Sequence, residues 1–115
     1  MHELSIAENV LEIAQAEAEK HDAGKVGRIV LEVGKVSGVV REALEFSLKA
    51  LMDNEKWHHT EVEITEIPGR AKCCNCAHEF DILEIYDPCP ECSHLYSEII
   101  RGEELNVKSL VLENN

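Results

Sequence analysis

The sequence predicts an α+β fold in which two helices lie on a three-stranded sheet and a small cysteine-rich module is inserted into that sheet. Apolar residues recur at helical spacing in two segments and alternate with polar residues in three others. All five cysteines fall within residues 73–92, before the last alternating segment. At 115 residues and 12.9 kDa the chain has room for one modest core and one such module.

The first element is an amphipathic helix near the start of the chain. Ser5, followed three residues later by Glu8, has the form of a capping box and predicts the beginning of the helix. The run at residues 21–24 ends the pattern. Between these signals, apolar residues recur at the spacing of one helix face, namely Ile6, Val10, Ile13, Ala14 and Ala18.

A half-buried strand and a second helix follow. Across residues 26–33 the apolar residues Ile29, Leu31 and Val33 fall on one face, and Arg28 falls on the other. Residues 34–38 are predicted to turn. The next apolar residues recur at helical spacing and predict a second helix that ends near residues 53–54: Ala43, Leu44, Leu48 and Leu51.

Two more strands complete the predicted sheet. The segment EVEITEI at residues 61–67 alternates and stops at Pro68 and Gly69, and ELNVKSLVLE at residues 104–113 forms the third strand. Residues 1–69 and 99–115 are therefore expected to form one discontinuous domain. Residues 70–98 are expected to form a second domain inserted between the last two strands.

The inserted segment contains an internal repeat of metal-ligand type. Cys73 and Cys76 form one Cys-x-x-Cys pair, and Cys89 and Cys92 form another with matching spacing. Four converging thiolates suit a structural zinc ion, because Zn²⁺ accepts tetrahedral sulfur ligation. Iron in a rubredoxin-like centre uses similar spacing, although Ala77 and Ser93 stand where that class usually has glycine. Free buried thiols are a third alternative.

The sequence does not assign a single role to three other residues of the module. Cys74 cannot join the two-residue spacing and is expected to lie outside the metal site. His78 and His94 follow the two pairs at equal distances. They are candidates for donors to the thiolates or exchangeable ligands, or they are exposed polar residues at the rim of the module.

Composition argues against nucleic acid and membrane insertion. Acidic residues outnumber basic ones 23 to 11, which gives a formal net charge of −12 that repels phosphate. The apolar runs are short and interrupted by charge, and the N-terminus lacks the pattern of a secretory signal. We expect a soluble cytoplasmic protein. In a reducing cytosol, clustered cysteines are more often metal ligands than disulfides.

Signals of catalysis are scarce, so a non-enzymatic role is expected. The sequence contains no Gly-rich phosphate loop and no Gly-x-Ser-x-Gly nucleophile motif. A closed four-thiolate zinc site leaves no position for a substrate. Most carboxylates fall at positions predicted to face solvent. Trp57, His58 and His59 follow the second helix; the two histidines are weak metal-binding candidates, but an exposed connector is expected.

The start of the chain offers a second set of metal donors. Met1, His2 and Glu3 bring an α-amine, an imidazole and backbone amides into one chelating loop. Nickel(II) favours nitrogen donors in a square-planar or tetragonal array, although copper(II) would bind them more tightly. The familiar amino-terminal nickel motif has histidine at the third position, and chain termini are usually just mobile.

Five segments taken together resemble the HypA family, the nickel-delivery accessory proteins of [NiFe] hydrogenase maturation. The resemblance runs in order along the whole chain. It is carried by MHELSI at the start, GKVSGVVREALEF at residues 34–46, AKCCNCAHEF at 71–80, CPEC at 89–92 and GEELNVKSL at 102–110.

The resemblance implies a nickel-binding domain made from both ends of the chain and an inserted zinc-ribbon-like domain. His2 would be a nickel ligand with the amine of Met1 and the backbone of Glu3. Zinc would be held by Cys73, Cys76, Cys89 and Cys92. After Gly38, some relatives have an acidic residue near nickel, whereas this chain has Val39, Val40 and Arg41, with Glu42 the nearest substitute.

The function implied is that of a nickel metallochaperone. It would bind Ni(II) at its N-terminus and deliver the ion to the hydrogenase large subunit with the GTPase HypB, acting as a monomer or homodimer. One alternative is a zinc-ribbon protein-interaction or nucleic-acid-binding module, but the few basic residues and an aromatic content of 4% do not favour nucleic acid. Rubredoxin-like electron transfer is the other.

Overall fold

A computed structural model describes residues 3–114. Two helices and two three-stranded sheets confirm the predicted α+β class. The elements are α1 (Glu3–Lys20), β1 (Lys25–Gly34), α2 (Arg41–Leu51), β2 (Glu61–Ile67), β3 (Gly69–Cys73), β4 (Glu79–Ile82), β5 (Ser97–Arg101) and β6 (Leu105–Glu113). Neither helix in this part of the chain is long and apolar enough to cross a membrane.

The larger sheet has the strand order β2-β1-β6 and uses the three strands that sequence periodicity predicts. β1 and β2 are parallel, so the chain must cross over between them, and α2 lies in this crossover. β6 pairs with β1 in the antiparallel direction. The main core lies between one face of this sheet and the two helices.

The first helix differs from its prediction at both its start and its buried face. α1 already includes Glu3, so Ser5 lies within the first turn and the predicted capping box is wrong. Ile13 is 40% exposed, whereas Ala7 and Leu11 are buried. The buried face is therefore rotated away from Ile13 and is built largely from alanine, which allows the helix to approach its neighbours closely.

The predicted faces of β1 and α2 are confirmed. Ile29, Leu31 and Val33 are buried on β1, and Leu44 and Leu48 are buried on α2. α2 follows Val40, which is extended and offers no side-chain cap. Without a capping side chain, the first N–H groups of α2 need other hydrogen-bond acceptors.

The connector after α2 contributes more to the core than its sequence indicates. Trp57 is only 7% exposed and packs with the main core, although the neighbouring His58 and His59 are exposed as expected. The Nδ2 group of Asn54 donates to the carbonyl of Leu51, and the Oδ1 atom of Asn54 accepts from the N–H of Trp57. These bonds fold the connector back so that the indole turns inward.

The smaller sheet has the order β4-β3-β5 and encloses a separate core. All its strand pairs are antiparallel. Its buried residues are Ala71, Cys73, Phe80, Ile82 and Cys89. Val36, from the turn after β1, packs against this core and connects the two parts of the molecule.

Glycines allow the chain segments between the sheets to cross closely. A Cβ atom added at Gly34 would lie 1.9 Å from the carbonyl oxygen of Gly102, and Gly102 has φ +112°. The N–H of Gly34 donates to the carbonyl of Glu104 at 2.7 Å, and the N–H of Val36 donates to the carbonyl of Gly102 at 2.9 Å. The backbone at Gly69 also lies close to Gly102, and we call the place where Gly34, Gly69 and Gly102 meet the glycine junction.

Candidate metal centre

The two Cys-x-x-Cys segments form turns with the same hydrogen bonds, here called knuckles. In the first, the N–H of Ala77 donates to the carbonyl of Cys73 at 3.1 Å. In the second, the N–H of Ser93 donates to the carbonyl of Cys89 at 2.8 Å. Ala77 and Ser93 have φ values of +64° and +63°, the left-handed conformation that glycine adopts at least cost. The knuckles are therefore related by structure as well as by spacing.

The knuckles bring four sulfur atoms together. The Sγ atoms of Cys73 and Cys92 are 3.5 Å apart, and those of Cys76 and Cys89 are 3.6 Å apart. All four lie within 4.8 Å of one another. Four sulfurs at about 2.3 Å from one tetrahedral zinc ion are separated by about 3.8 Å, so the cluster fits a structural zinc site.

The two sides of the cluster differ in exposure. Cys73 and Cys89 are buried and form part of the core of the smaller sheet, whereas Cys76 and Cys92 are exposed. The first cysteine of each knuckle thus anchors the site in the fold. The second closes it from the solvent side, which gives a four-sulfur set without an open coordination position.

Backbone and amide N–H groups stabilise negative charge on two of the sulfurs. The N–H of Cys76 and that of Asn75 donate to Cys73 Sγ and lower the pKa of the Cys73 thiol. The backbone N–H of His94 lowers the pKa of Cys92 to about 6, aided by the side chain of Asn75. Asn75 Nδ2 lies 3.7 Å from Cys92 Sγ and so links one knuckle to the other.

Cys76 has the opposite shift. The backbone N–H of His78 is the largest single influence and lowers its pKa, but partial desolvation of the thiol and the sulfurs of Cys92, Cys89 and Cys73 together raise it to about 12. Four adjacent thiols cannot all ionise while their charges are uncompensated. A divalent cation bound among them supplies that compensation, which is a second reason that the cluster fits zinc.

His78, His94 and Cys74 lie outside the sulfur cluster. His78 is stacked on Phe80 with ring centroids 6.2 Å apart, and its Nε2 atom is 3.9 Å from a carboxylate oxygen of Glu91. His94 contacts the ring of Tyr96 edge-on. Cys74 is not among the four clustered sulfurs, as its spacing predicts, and it is exposed.

The predicted nickel ligands Met1 and His2 lie outside the described residues. Glu3 is at the start of α1, and its Oε2 atom accepts a hydrogen bond from the N–H of Val40 at 3.5 Å. The loop after Gly38 therefore adjoins the first turn of α1. Glu42 is exposed in the first turn of α2.

Comparison with known proteins identifies relatives along the whole chain. Residues 1–112 match the family described as HypA, hydrogenase/urease nickel incorporation, metallochaperone. Hydrogenase maturation factor HypA of Geobacter sulfurreducens is 41% identical over 113 residues, covering 98% of this chain and 100% of the relative. The corresponding protein of Geobacter metallireducens is 37% identical with the same coverage.

A solved structure shares the fold. The solution structure of the Ni metallochaperone HypA from Helicobacter pylori superposes with a TM-score of 0.69, with 21% sequence identity and full coverage of both chains. At 21% sequence identity, this similarity is evidence for a shared fold alone.

Proposed function

The chain belongs to the HypA family, and on this basis we propose that it is a metallochaperone that binds Ni(II) at its N-terminus and delivers it to the large subunit of a [NiFe] hydrogenase during maturation. The observation that carries this proposal is the family match from residue 1 to residue 112, which includes the Met1-His2-Glu3 start. Family members are maturation factors, which agrees with a role in metal transfer.

The proposed nickel ligands are the amine of Met1, the imidazole of His2 and backbone nitrogen at Glu3. Nitrogen donors of this kind suit Ni(II). A delivery site must release its cargo, and donors at a chain terminus rearrange more easily than donors held in a core. The N–H of Val40 lies 3.5 Å from Glu3 Oε2, so the loop after Gly38 adjoins the first turn of α1.

For zinc, the proposed ligands are Cys73, Cys76, Cys89 and Cys92, and the role of the ion is structural. Two of these residues are part of the smaller core, so zinc would hold the fold of residues 70–98. The remaining residues, 1–69 and 99–115, would form the nickel-binding domain. We propose no catalytic residues.

The further parts of the proposal concern partners and location. The GTPase HypB would assist nickel delivery, and the hydrogenase large subunit would receive the ion. Both interactions would take place in the cytoplasm. The excess of acidic residues, 23 against 11 basic, agrees with a function that does not involve nucleic acid.

The test is a nickel titration of three proteins: the untagged chain, a chain extended by a few residues at the N-terminus, and His2→Ala. Extension converts the Met1 amine to an amide and His2→Ala removes the imidazole, so both changes are expected to weaken nickel binding at least tenfold. Zinc content and the thermal transition serve as controls and are expected to stay near those of the untagged chain. Equal nickel affinity in all three proteins would contradict the N-terminal site and direct attention to His58, His59, His78 and His94.

A further inference from the structure

A cleft of about 740 Å³ lies between α2 and β2, on elements that contribute no cysteine to the metal cluster. Its larger apolar lining residues come from the helix, the connector and the strand: Phe46, Leu48, Met52, Trp57, Val62 and Ile64. Trp57 and Ile64 form a buried floor, whereas Phe46 is 75% exposed at the rim. The phenyl ring and the apolar floor line one cleft, and aromatic side chains are enriched where proteins bind one another.

The strand that borders the cleft is also an edge of the larger sheet. Among residues 3–114, β2 pairs with β1 alone, so no strand of this part of the chain neighbours the backbone N–H and C=O groups on its other side. Its register with β1 is continuous over seven residues. The opposite edge strand, β6, is interrupted by a register shift that bypasses Lys108. Bulges and charged side chains, lysine above all, protect sheet edges; β2 has no bulge or lysine over residues 61–67, and its charged side chains are all glutamates.

Charge on β2 indicates which kind of strand would pair with it. Val62 and Ile64 line the cleft, so Glu61 and Glu63 lie on the opposite face of the strand. Arg28 on β1 lies 3.2 Å from Glu61 and 3.9 Å from Glu63, leaving a local excess of negative charge. A second copy of β2 would place glutamates beside glutamates, and like charges on paired strands repel. A strand with basic side chains would place positive charges beside these glutamates and would not be repelled.

We propose that the free edge of β2 accepts an extended segment of a partner protein in which apolar residues alternate with Lys or Arg. The apolar side chains would enter the cleft against Trp57 and Phe46. The basic side chains would lie beside Glu61 and Glu63 on the other face. This protein-docking site is separate from the nickel and zinc sites and goes beyond the proposed function.

The single tryptophan of the chain, Trp57, makes the cleft measurable by fluorescence. The probe is the peptide VKVKVKV with blocked ends. Two comparison peptides have the same residues in the block order VVVVKKK, and glutamate in place of lysine. The alternating basic peptide is expected to bind at least tenfold more tightly than either. It is also expected to slow amide hydrogen exchange in residues 61–67 and leave exchange in residues 105–113 unchanged.

Matched variants separate the cleft from general attraction between a basic peptide and an acidic protein. Phe46→Ala is expected to weaken binding of the alternating peptide at least fivefold. Val111→Ala, which truncates a 51% exposed residue on β6, is expected to leave it unchanged. The proposal is overturned if the two lysine peptides bind equally, if no peptide binds at millimolar concentration, or if protection appears on β6. It is also overturned if the chain self-associates through residues 61–67.

Discussion

At the scale of single residues, Asn75 has the most informative contacts. Its N–H donates to Cys73 Sγ at 3.3 Å, and its side-chain amide lies 3.7 Å from Cys92 Sγ. One residue thus contacts a sulfur of each knuckle. Groups that support metal ligands in this way orient them and affect the rate at which the metal leaves.

We expect Asn75→Leu to accelerate zinc transfer to a competing chelator by about tenfold, within the range of about 10–100-fold typical of such supporting residues. The variant removes only the side-chain donor to Cys92, so zinc stoichiometry should remain one per chain. Cys74→Ser is the matched control, because Cys74 is a neighbour that lies outside the cluster. Equal release rates in the wild type and Asn75→Leu would show that the side-chain contact has no influence.

The opposed thiol shifts predict how zinc binding depends on pH. The pKa of Cys92 is lowered to about 6, so this thiol is already largely ionised at pH 7, whereas the pKa of Cys76 is raised to about 12 and its proton must be displaced. Zinc affinity is therefore expected to rise with pH above 6, and binding at pH 7 should release fewer than four protons. Calorimetry in buffers of different ionisation enthalpy measures this number. Release of four protons at pH 7 would contradict the low pKa of Cys92.

At the scale of elements, the knuckles and the strands that carry them form a unit with a small core of its own. Ala71, Phe80 and Ile82 supply few apolar contacts beyond those of Cys73 and Cys89. Structural zinc contributes about 10–16 kcal/mol to the folding of small metal-dependent units at neutral pH. The ion rather than apolar burial should hold this unit together.

We accordingly expect Cys89→Ser to lose stoichiometric zinc and to disorder residues 70–98. The helices and the larger sheet have a separate core and are expected to remain folded. Amide chemical-shift dispersion, followed residue by residue, distinguishes the two parts. Stoichiometric zinc with unchanged dispersion in residues 70–98 would refute the four-sulfur assignment.

Helices and strands could be predicted from the sequence where the spacing of apolar residues matches the residues that are buried. β2 has the predicted bounds, because Val62 and Ile64 alternate with the exposed Glu61 and Glu63, and Pro68 ends the pattern. The start of α1 could not be predicted in this way, because Ser5 and Glu8 are compatible with a capping box and also with positions inside a helix. Trp57 was missed because its inward orientation depends on the hydrogen bonds of Asn54 and not on periodicity.

At the scale of the whole molecule, the glycine junction couples the two sheets. Backbone segments from three separate parts of the chain meet there, and Val36 extends from it into the smaller core. The four-cysteine cluster could be foreseen from spacing alone. The junction and the cleft beside β2 could not, because both arise from contacts between residues far apart in the sequence.

Gly34→Ala is expected to destabilise the protein by about 1–3 kcal/mol, the usual range for overpacking. The added Cβ would lie 1.9 Å from a backbone oxygen that cannot rotate away. Denaturant unfolding measures the loss. Gly38→Ala is a useful comparison, since its added Cβ meets nothing within 4 Å and its cost would come only from φ +85°. A Gly34→Ala variant as stable as the wild type would mean that the segments can separate freely.

Glu113 pairs with Lys25 at the start of β1, and this position suits the attachment of a label or an affinity handle. Glu113 lies beside the strand that follows α1, while Glu3 begins that helix, and eighteen helical residues span about 27 Å. A fluorophore or resin attached beside Glu113 therefore lies at the opposite end of α1 from Glu3. For surface immobilisation, this attachment would orient the molecule with its first helical turn directed away from the support.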